Sequence, residues 1–490
     1  GRMTQAGESA IRGRAGRRMT AGLLLAVYVA IAALPLALAA AAPGTARPGL
    51  RELGSAVAML GFALLLVEFV LSGRFRALTD PVGMDALMRF HQFSGHLVLA
   101  LLLVHPYLYV LAGPESGLVD GRPESGTGGG AVAGITGFLA WFGLFGLVFA
   151  AVFRDDLPLR YETWRLTHAV GAALIAVLGA VHTLGAGTAA AAPAVGTFWI
   201  AAVTLALATL VHVHAIKPWL ASRRPWRVRG VRQLGPSIHE LEVAPEGHTG
   251  LRYRAGQFVW LRIAPGPWGV REHPFSIASA PGDGAVLRFV VKANGDYTAT
   301  IGRSGTGARA WIDGPYGRFG GVIADADGLV LIAGGVGLAP ILGLLHDLAN
   351  RRDRRPVRLV HACRKAEDLV LGDELAQLGD RLDLRVTRVV DEAPRPADAR
   401  PGPVDRQLLE QMLPAGERDR LACCVCAPPG MIDAVETDLV ALGIPIARID
   451  SERFRYRYAA GSPVARRAGR VQFAVAAVLV LAALAFAAAR

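Results

Sequence analysis

The sequence predicts a multi-domain membrane protein: an all-α transmembrane bundle, then a small β-barrel, then an α/β domain on a parallel sheet. Three observations lead there. Apolar runs at 21–42, 53–71, 86–111, 131–153, 164–186 and 195–216 are each near the ~20 residues that a bilayer core requires. After Lys217 the chain becomes arginine-rich, with short apolar segments broken by glycine and proline, as in a small barrel. From Gly328, strand-like and helix-like segments alternate, which indicates a parallel sheet wrapped by helices. The expected divisions are a basic segment 1–20, the helical domain 21–216, the barrel 217–320, the α/β domain 321–458, and a linker with a last helix, 459–490.

Composition narrows the function classes. The chain has 490 residues, 52% of them hydrophobic, too apolar for an ordinary soluble protein. Its formal charge of +12 does not collect in one aromatic-laced patch but gathers at helix ends, which argues for a membrane and against nucleic acid. Only three of the 52 basic residues are lysines (Lys217, Lys292, Lys365), so an arginine at any one place is weak evidence of function. Cys363, Cys423, Cys424 and Cys426 all fall in one late segment; Cys423 and Cys426 stand at CxxC spacing but have no nearby ligand cluster, so neither a disulfide framework nor a zinc site is indicated.

Taken in order, residues 1–20 are basic and the 22 residues Ala21–Ala42 are apolar. A signal peptide competes here: the tail ALAAAAPG and the pair Arg17-Arg18 suit one. The run is long for an h-region of about 7–15 residues, so a retained first span is expected. Arg74, Arg76 and Arg89, then Arg154, Arg160 and Arg165, then Lys217, Arg223 and Arg224 mark one side, while the loops 43–52, 112–130 and 187–194 are poor in basic residues. The positive-inside tendency makes the first set cytoplasmic. A final apolar run, 471–489, follows Arg466, Arg467 and Arg470 and reads as a further span ending outside.

Two of the expected helices carry histidines at the same spacing. His91 and His105 are fourteen residues apart, as are His168 and His182; at ~100° per residue and ~1.5 Å rise, each pair shares a face about 21 Å apart. His96 points elsewhere. A single histidine in an apolar helix is commonly a satisfied core residue. Two helices with identical spacing instead allow two stacked pairs, His91 with His168 towards the cytoplasm and His105 with His182 towards the outside. Haem iron takes axial imidazoles from both faces, so two b-type haems are expected.

The soluble region carries three motifs. His273-Pro274-Phe275-Ser276 precedes Lys292-Ala293-Asn294-Gly295-Asp296-Tyr297-Thr298, and Gly334-Gly335-Val336-Gly337-Leu338-Ala339-Pro340 joins an expected strand to an expected helix. Glycine followed by a small hydroxyl residue at a helix start, as Gly295 and Thr298, lets backbone N–H groups meet a pyrophosphate. Taken singly, the three also read as a tight turn, a helix cap and a plain strand-to-helix turn.

In order, and joined by Asp313-Gly314-Pro315-Tyr316-Gly317, ACRKAEDLVLGDEL (362–375), CAPPGMIDAVETDLVALGIP (426–445) and SERF (451–454), these motifs resemble the ferredoxin reductase superfamily. With the paired histidines, roughly residues 53–458 resemble the bacterial branch of the NADPH oxidase and ferric reductase superfamily. HPFS stands where the broader family usually has R-x-Y-S. The resemblance implies an FAD-binding barrel and a nucleotide-binding α/β domain. In it, His273, Pro274, Phe275 and Ser276 meet the isoalloxazine, and Lys292, Gly295 and Thr298 belong to the pyrophosphate motif. Gly334, Gly335, Gly337 and Pro340 form the NAD(P) phosphate loop. Arg364 and Lys365 would meet a 2′-phosphate, favouring NADPH over NADH. Cys426 and Gly430 would line the hydride-transfer site, and Phe454 would cover the flavin.

The implied activity is electron transfer from NADPH through FAD and two b haems to an extracytoplasmic acceptor, across a bacterial inner membrane with the FAD and NAD(P) domains cytoplasmic. Oxygen, giving superoxide, is the expected acceptor, with ferric chelate the alternative. The outer loop 112–130 holds Glu115, Asp120 and Glu124 against Arg122 alone, a charge that repels anionic chelates. A membrane-anchored reductase without transmembrane electron transfer is the remaining alternative.

Overall fold

The computed structural model describes residues 2–42, 49–113, 129–186, 192–269, 271–413, 418–453 and 462–489. Phe454, expected over the flavin, lies outside the described residues. Two compact units emerge, one built mainly on 217–468 and the other on 18–81, 86–216 and 469–490.

The second unit is helical. Its elements are α1 (Arg2–Ala41), α2 (Gly49–Ser72), the short α3 (Arg76–Val82), α4 (Met84–Leu111), α5 (Gly129–Val152), α6 (Tyr161–Ala186) and α7 (Pro193–Val211), which runs into a π turn at His212–Ile216; α8 (Lys217–Ser222), next in the chain, belongs to the first unit. Among the described residues, seven helices are long and apolar enough to cross a membrane, the last being Pro463–Ala489. The protein is a multi-pass membrane protein.

The first span is part of this bundle. Tyr28, Ala32, Leu36 and Ala39 recur at helical spacing and are buried in one core with α2. Glycines set how closely the helices approach, as small residues do between membrane helices. A Cβ on Gly54 or Gly61 of α2 would come within 2.8 Å of Tyr109 or Leu102 of α4, and one on Gly171 of α6 would lie 2.9 Å from Leu147 of α5. Phe138, Phe142, Phe145 and Phe149 of α5 are exposed, as lipid-facing side chains are. Lipid is thus one partner of this protein. The last helix spans Pro463–Ala489 and takes in the basic stretch that the sequence reading left as a linker. It buries Val475, Leu479, Ala483 and Phe486 in the α1–α2 core while Phe473 and Leu481 stay exposed.

The first unit opens with an antiparallel sheet: β1 (Trp226–Gly235), β2 (Ile238–Pro245), β3 (Phe258–Ile263), β4 (His273–Ser276), β5 (Leu287–Lys292) and, after the single turn α9 (Thr298–Ile301), β6 (Arg309–Tyr316). Their order is β4-β3-β6-β1-β2-β5. Just past β4, Ala278 N–H donates to Arg288 O on β5 at 2.7 Å, so the two edges of the sheet meet around a core of Trp226, Leu241, Ile277 and Phe289. HPFS is therefore a strand, paired Val259↔Phe275 and Phe258↔Ser276, and not a tight turn. Its proline is tolerated because β4 ends the ladder.

A parallel sheet follows, of order β10-β9-β8-β7-β11-β12. In chain order it runs β7 (Gly328–Gly334), α10 (Leu338–Asn350), β8 (Val357–Cys363), α11 (Gly372–Gly379), β9 (Leu384–Val390), β10 (Arg400–Pro401), α12 (Arg406–Met412), β11 (Leu421–Cys426), α13 (Pro429–Ala441) and β12 (Ile449–Glu452), before α14 (Pro463–Ala489). β7 and β11 are buried along their whole length, as central parallel strands covered on both faces must be. Charged side chains join this sheet to the barrel: Arg288 to Glu374 at 2.7 Å, with His346 on the same carboxylate at 2.6 Å, and Lys292 to Asp368 at 2.8 Å.

His361 on β8 is 2% exposed, and burial pushes its imidazole down to about 4. Because the unfolded chain titrates near ~6.5, the neutral ring contributes stability that is intact above that pH and is lost as pH falls towards 4, at most about 3 kcal/mol. Thermal unfolding of the purified protein is expected to drop between pH 7 and pH 5, and to drop less in His361→Gln.

Candidate functional site

In the helical unit, α4 and α6 bring the four histidines together in pairs. The ring centres of His91 and His168 are 6.4 Å apart with planes at 77°, and those of His105 and His182 are 6.3 Å apart at 72°. The four imidazoles are thus grouped two by two, the donor set that a bis-imidazole site would need.

Three of the four outward nitrogens are bonded to a carboxylate or carbonyl, as the second ring nitrogen of a ligating histidine usually is. His105 Nδ1 donates to Gly54 O at 3.1 Å, His182 Nδ1 to Ala133 O at 2.8 Å, and His91 Nδ1 pairs with Glu68 Oε2 at 2.6 Å. His168 Nδ1 is buried with no hydrogen-bond partner among the described residues; its ring stacks on Trp164 at 5.4 Å. Gly137 of α5 leaves the room that the His182 ring occupies. His96 bonds Gln92 O at 2.6 Å, away from both pairs. Among the described residues, no group of three or more His, Cys, Asp or Glu is placed to hold a metal ion; a bis-imidazole site needs only two protein ligands.

In the barrel, Ser276 Oγ is buried with no hydrogen-bond partner among the described residues, the condition of a hydroxyl waiting for a ligand. Phe275, by contrast, packs into the barrel core beside Phe289. His273 stacks on Tyr297 at 4.4 Å and 20°, and Pro274 pairs with Trp260. Thr298 Oγ1 accepts from Asn294 N–H at 2.9 Å and donates to Gly295 O at 3.2 Å, so it closes its own loop. With α9 only four residues long, little helix dipole stands behind that loop. Lys292 is engaged by Asp368.

The β7–α10 loop is shaped by contact with the loop after β11. A Cβ on Gly334 would lie 2.7 Å from Ala427 and Pro428, and one on Gly337 would overlap the Cys426 carbonyl. Gly335 has φ +56°, and a Cβ there would meet open space, which leaves a backbone surface for a phosphate to approach. Pro340 is buried in α10, and Gly430 opens α13 with clear space around it. Arg364 is 72% exposed and 3.0 Å from Glu392, and Lys365 lies 3.5 Å from Glu367, so each basic group already faces an acid.

Two acids escaped the sequence reading. Glu452 on β12 stands in register with Cys426 on β11, and a Cβ on Gly317 would lie 3.3 Å from its Oε1 and 3.0 Å from Phe258. Phe258 pairs with Ser276, so Glu452 lies between the barrel strands and the Cys426 end of the parallel sheet. Its Oε2 is buried with no partner among the described residues, and burial pushes its carboxyl well above the usual range. Burial likewise raises the Cys426 thiol well above its ordinary value. The other acid is Glu68, inside an apolar helix of 24 residues; an acid at membrane depth is itself a functional signal.

Three family models match in succession: the ferric reductase like transmembrane component over residues 57–179, the FAD-binding domain over 231–319 and the oxidoreductase NAD-binding domain over 331–437. The chain has the architecture of the ferric reductase and NADPH oxidase-like superfamily. It is an oxidoreductase, with a ferric reductase-like membrane domain and reductase-type FAD and NAD domains. Among similar curated proteins, the reductase component of propane 2-monooxygenase from Gordonia sp. (strain TY-5) is 30% identical over 240 residues, covering 46% of this chain and 66% of that protein. The electron transfer component of 2-halobenzoate 1,2-dioxygenase from Burkholderia cepacia is 34% identical over 212 residues, 42% of this chain and 60% of the relative. The chain thus spans less than two thirds of their length. Among solved structures, the flavohem-like FAD/NAD binding domain of nitric oxide dioxygenase from Vibrio cholerae matches at 25% identity over 47% of this chain and 98% of that one, with a TM-score of 0.43.

Gly337→Ala is expected to displace the nucleotide loop, because the Cys426 carbonyl occupies the space of the new methyl. Flavin content should be retained, while kcat/KM for flavin reduction by NAD(P)H falls at least ~tenfold, ~1.4 kcal/mol, in stopped-flow measurement.

Proposed function

We propose that this superfamily member carries electrons from NADPH, through FAD and two b haems, across a bacterial inner membrane to an outside acceptor, oxygen giving superoxide. The observation that carries this reading is the double imidazole pairing at 6.4 and 6.3 Å, on two helices whose fourteen-residue spacing sets the pairs about 21 Å apart. A membrane-anchored reductase without transmembrane transfer would leave both pairs and their Nδ1 anchors without a purpose.

When bound, a nicotinamide gives two electrons as hydride, a flavin releases them singly and a haem carries one at a time. The chain's own residues do the rest. His91 and His168, and His105 and His182, would each hold an iron through ring nitrogens, which for His91, His105 and His182 are those opposite the anchored Nδ1. Gly335 presents backbone to a dinucleotide phosphate, and Ser276 Oγ offers its unused hydrogen bond to the flavin. Glu452, whose carboxyl burial raises well above the usual range, is placed to hold a proton at the meeting of barrel and parallel sheet, beside Cys426. Arg364 and Lys365 favour NADPH, through a charge-assisted contact about twice as strong as a neutral one, for which Arg364 must leave Glu392. One NADPH then reduces two oxygen molecules to two superoxide ions and leaves one proton on the cytoplasmic side.

The basic flanks support a topology with the FAD and NAD(P) domains in the cytoplasm and the end of α14 outside. A ferric chelate is the competing acceptor. The acidic loop residues Glu115, Asp120 and Glu124, which lie outside the described residues, disfavour an anionic complex, and oxygen needs no docking surface.

Purified protein is expected to hold two low-spin haems per chain by pyridine haemochrome assay. His105→Ala or His182→Ala should remove one and leave flavin reduction intact, and His96→Ala should keep both; one iron per wild-type chain refutes the reading. Under saturating NADPH, superoxide should form faster than ferric citrate is reduced in anaerobic buffer. The same assay with NADH should be slower, and Arg364→Ala should erase that difference. Faster iron reduction at physiological concentrations would make the protein a ferric reductase.

A further inference from the structure

The two imidazole pairs are anchored unequally. At the outer pair both Nδ1 atoms meet neutral peptide carbonyls, Gly54 O and Ala133 O. At the inner pair, His91 Nδ1 meets the carboxyl of Glu68 at 2.6 Å, and Glu68 is 7% exposed on α2. The carboxyl does not stand alone. Its Oε1 accepts from Tyr28 Oη of α1 at 3.4 Å, and that hydroxyl also lies 2.5 Å from Ser94 Oγ of α4. Tyr28 and Ser94 are 5% and 0% exposed. Three spans thus contribute to one buried chain of polar groups, Ser94–Tyr28–Glu68–His91, in an otherwise apolar setting where an acid is costly to keep without partners.

We propose that Glu68 is a positioning residue that sets the inner haem at a lower reduction potential than the outer one, so that electrons loaded at the cytoplasmic side run downhill to the outside. The proposal rests on the two-haem reading. A histidine that gives Nε2 to iron has only its Nδ1 proton to share. With Glu68 as the carboxylate, the Glu68–His91 pair carries one more negative charge than a histidine bonded to a peptide carbonyl. A carboxylate behind a ligating imidazole makes the ligand more basic, and added negative charge in a low-dielectric site favours the ferric over the ferrous state. The Tyr28 hydroxyl draws on the same carboxylate and moderates the effect. No covalent step is involved; only the balance between two oxidation states moves.

Glu68→Gln separates charge from geometry, since the amide oxygen still accepts from His91 Nδ1. In spectropotentiometric titration of the purified, haem-loaded protein, the lower of two midpoint potentials should rise, the higher should stay, and their separation should shrink. Tyr28→Phe, which removes a donor from the carboxylate, should shift the same lower potential downward by less. In a His105→Ala background, where only the inner haem remains, the Glu68→Gln rise should persist. Two haems with an unmoved lower potential in both variants, or movement of the higher one instead, overturns the proposal; so does haem loss in both variants, which would make Glu68 a fold contact. If Glu68→Gln alone loses haem, the direction of the Tyr28→Phe shift decides. Fewer than two haems in the wild-type protein refutes the two-haem reading itself and is distinguishable from all of these.

Discussion

Everything in the helical unit depends on holding four imidazoles at membrane depth. Lipid offers no hydrogen bonds, so a ring nitrogen there is bonded only where the protein supplies the partner. The bundle does so for three of the four from helices other than those that carry the rings: α2 gives Gly54 O and Glu68, and α5 gives Ala133 O; His168 has no such bond among the described residues and stacks on Trp164. This explains why α2 is enclosed and glycine-bearing. A larger residue at Gly54 would push α4 away through Tyr109, and His105 on α4 would lose the carbonyl that holds it. Close packing and ring orientation are one constraint here.

The unit that holds the two sheets obeys a different constraint, the close approach of two backbones. The β7–α10 loop lies against the loop after β11 with no room for side chains at Gly334 and Gly337, while Gly335 remains open on its other side. The packed glycines register Cys426 against the loop, and the open one leaves backbone for a ligand. Ion pairs from Arg288 and Lys292 to Glu374 and Asp368 then tie barrel to parallel sheet, so that Ser276, Phe258, Gly317, Glu452 and Cys426 follow one another across the junction.

Much of this was legible beforehand. Apolar runs of span length, the alternation of strand and helix, and the fourteen-residue histidine spacing are local patterns, and each reappears in the structure as the element it implied. Ends were less legible: the last helix begins at Pro463 rather than 471, because basic residues are good helix formers at a membrane surface. The strand at HPFS was hidden by its proline, and β12 by its four polar-rich residues Ile449–Glu452; both are held by neighbours in the ladder rather than by their own propensity.

The sequence by itself determined the number and order of the spans, which four histidines share faces, and where the glycine loops fall, because these follow from helix and strand periods and from the conformations glycine alone permits. Only the tertiary structure decided what each imidazole leans on, that Phe275 turns into the barrel core while Ser276 keeps an unused hydroxyl, and that Arg364 already faces Glu392. His91 and Glu68 sit on different helices, as do Glu452 and Cys426 on different strands. No local pattern records such partners, since hydrogen bonds between distant segments exist only once packing has brought their donors and acceptors within reach.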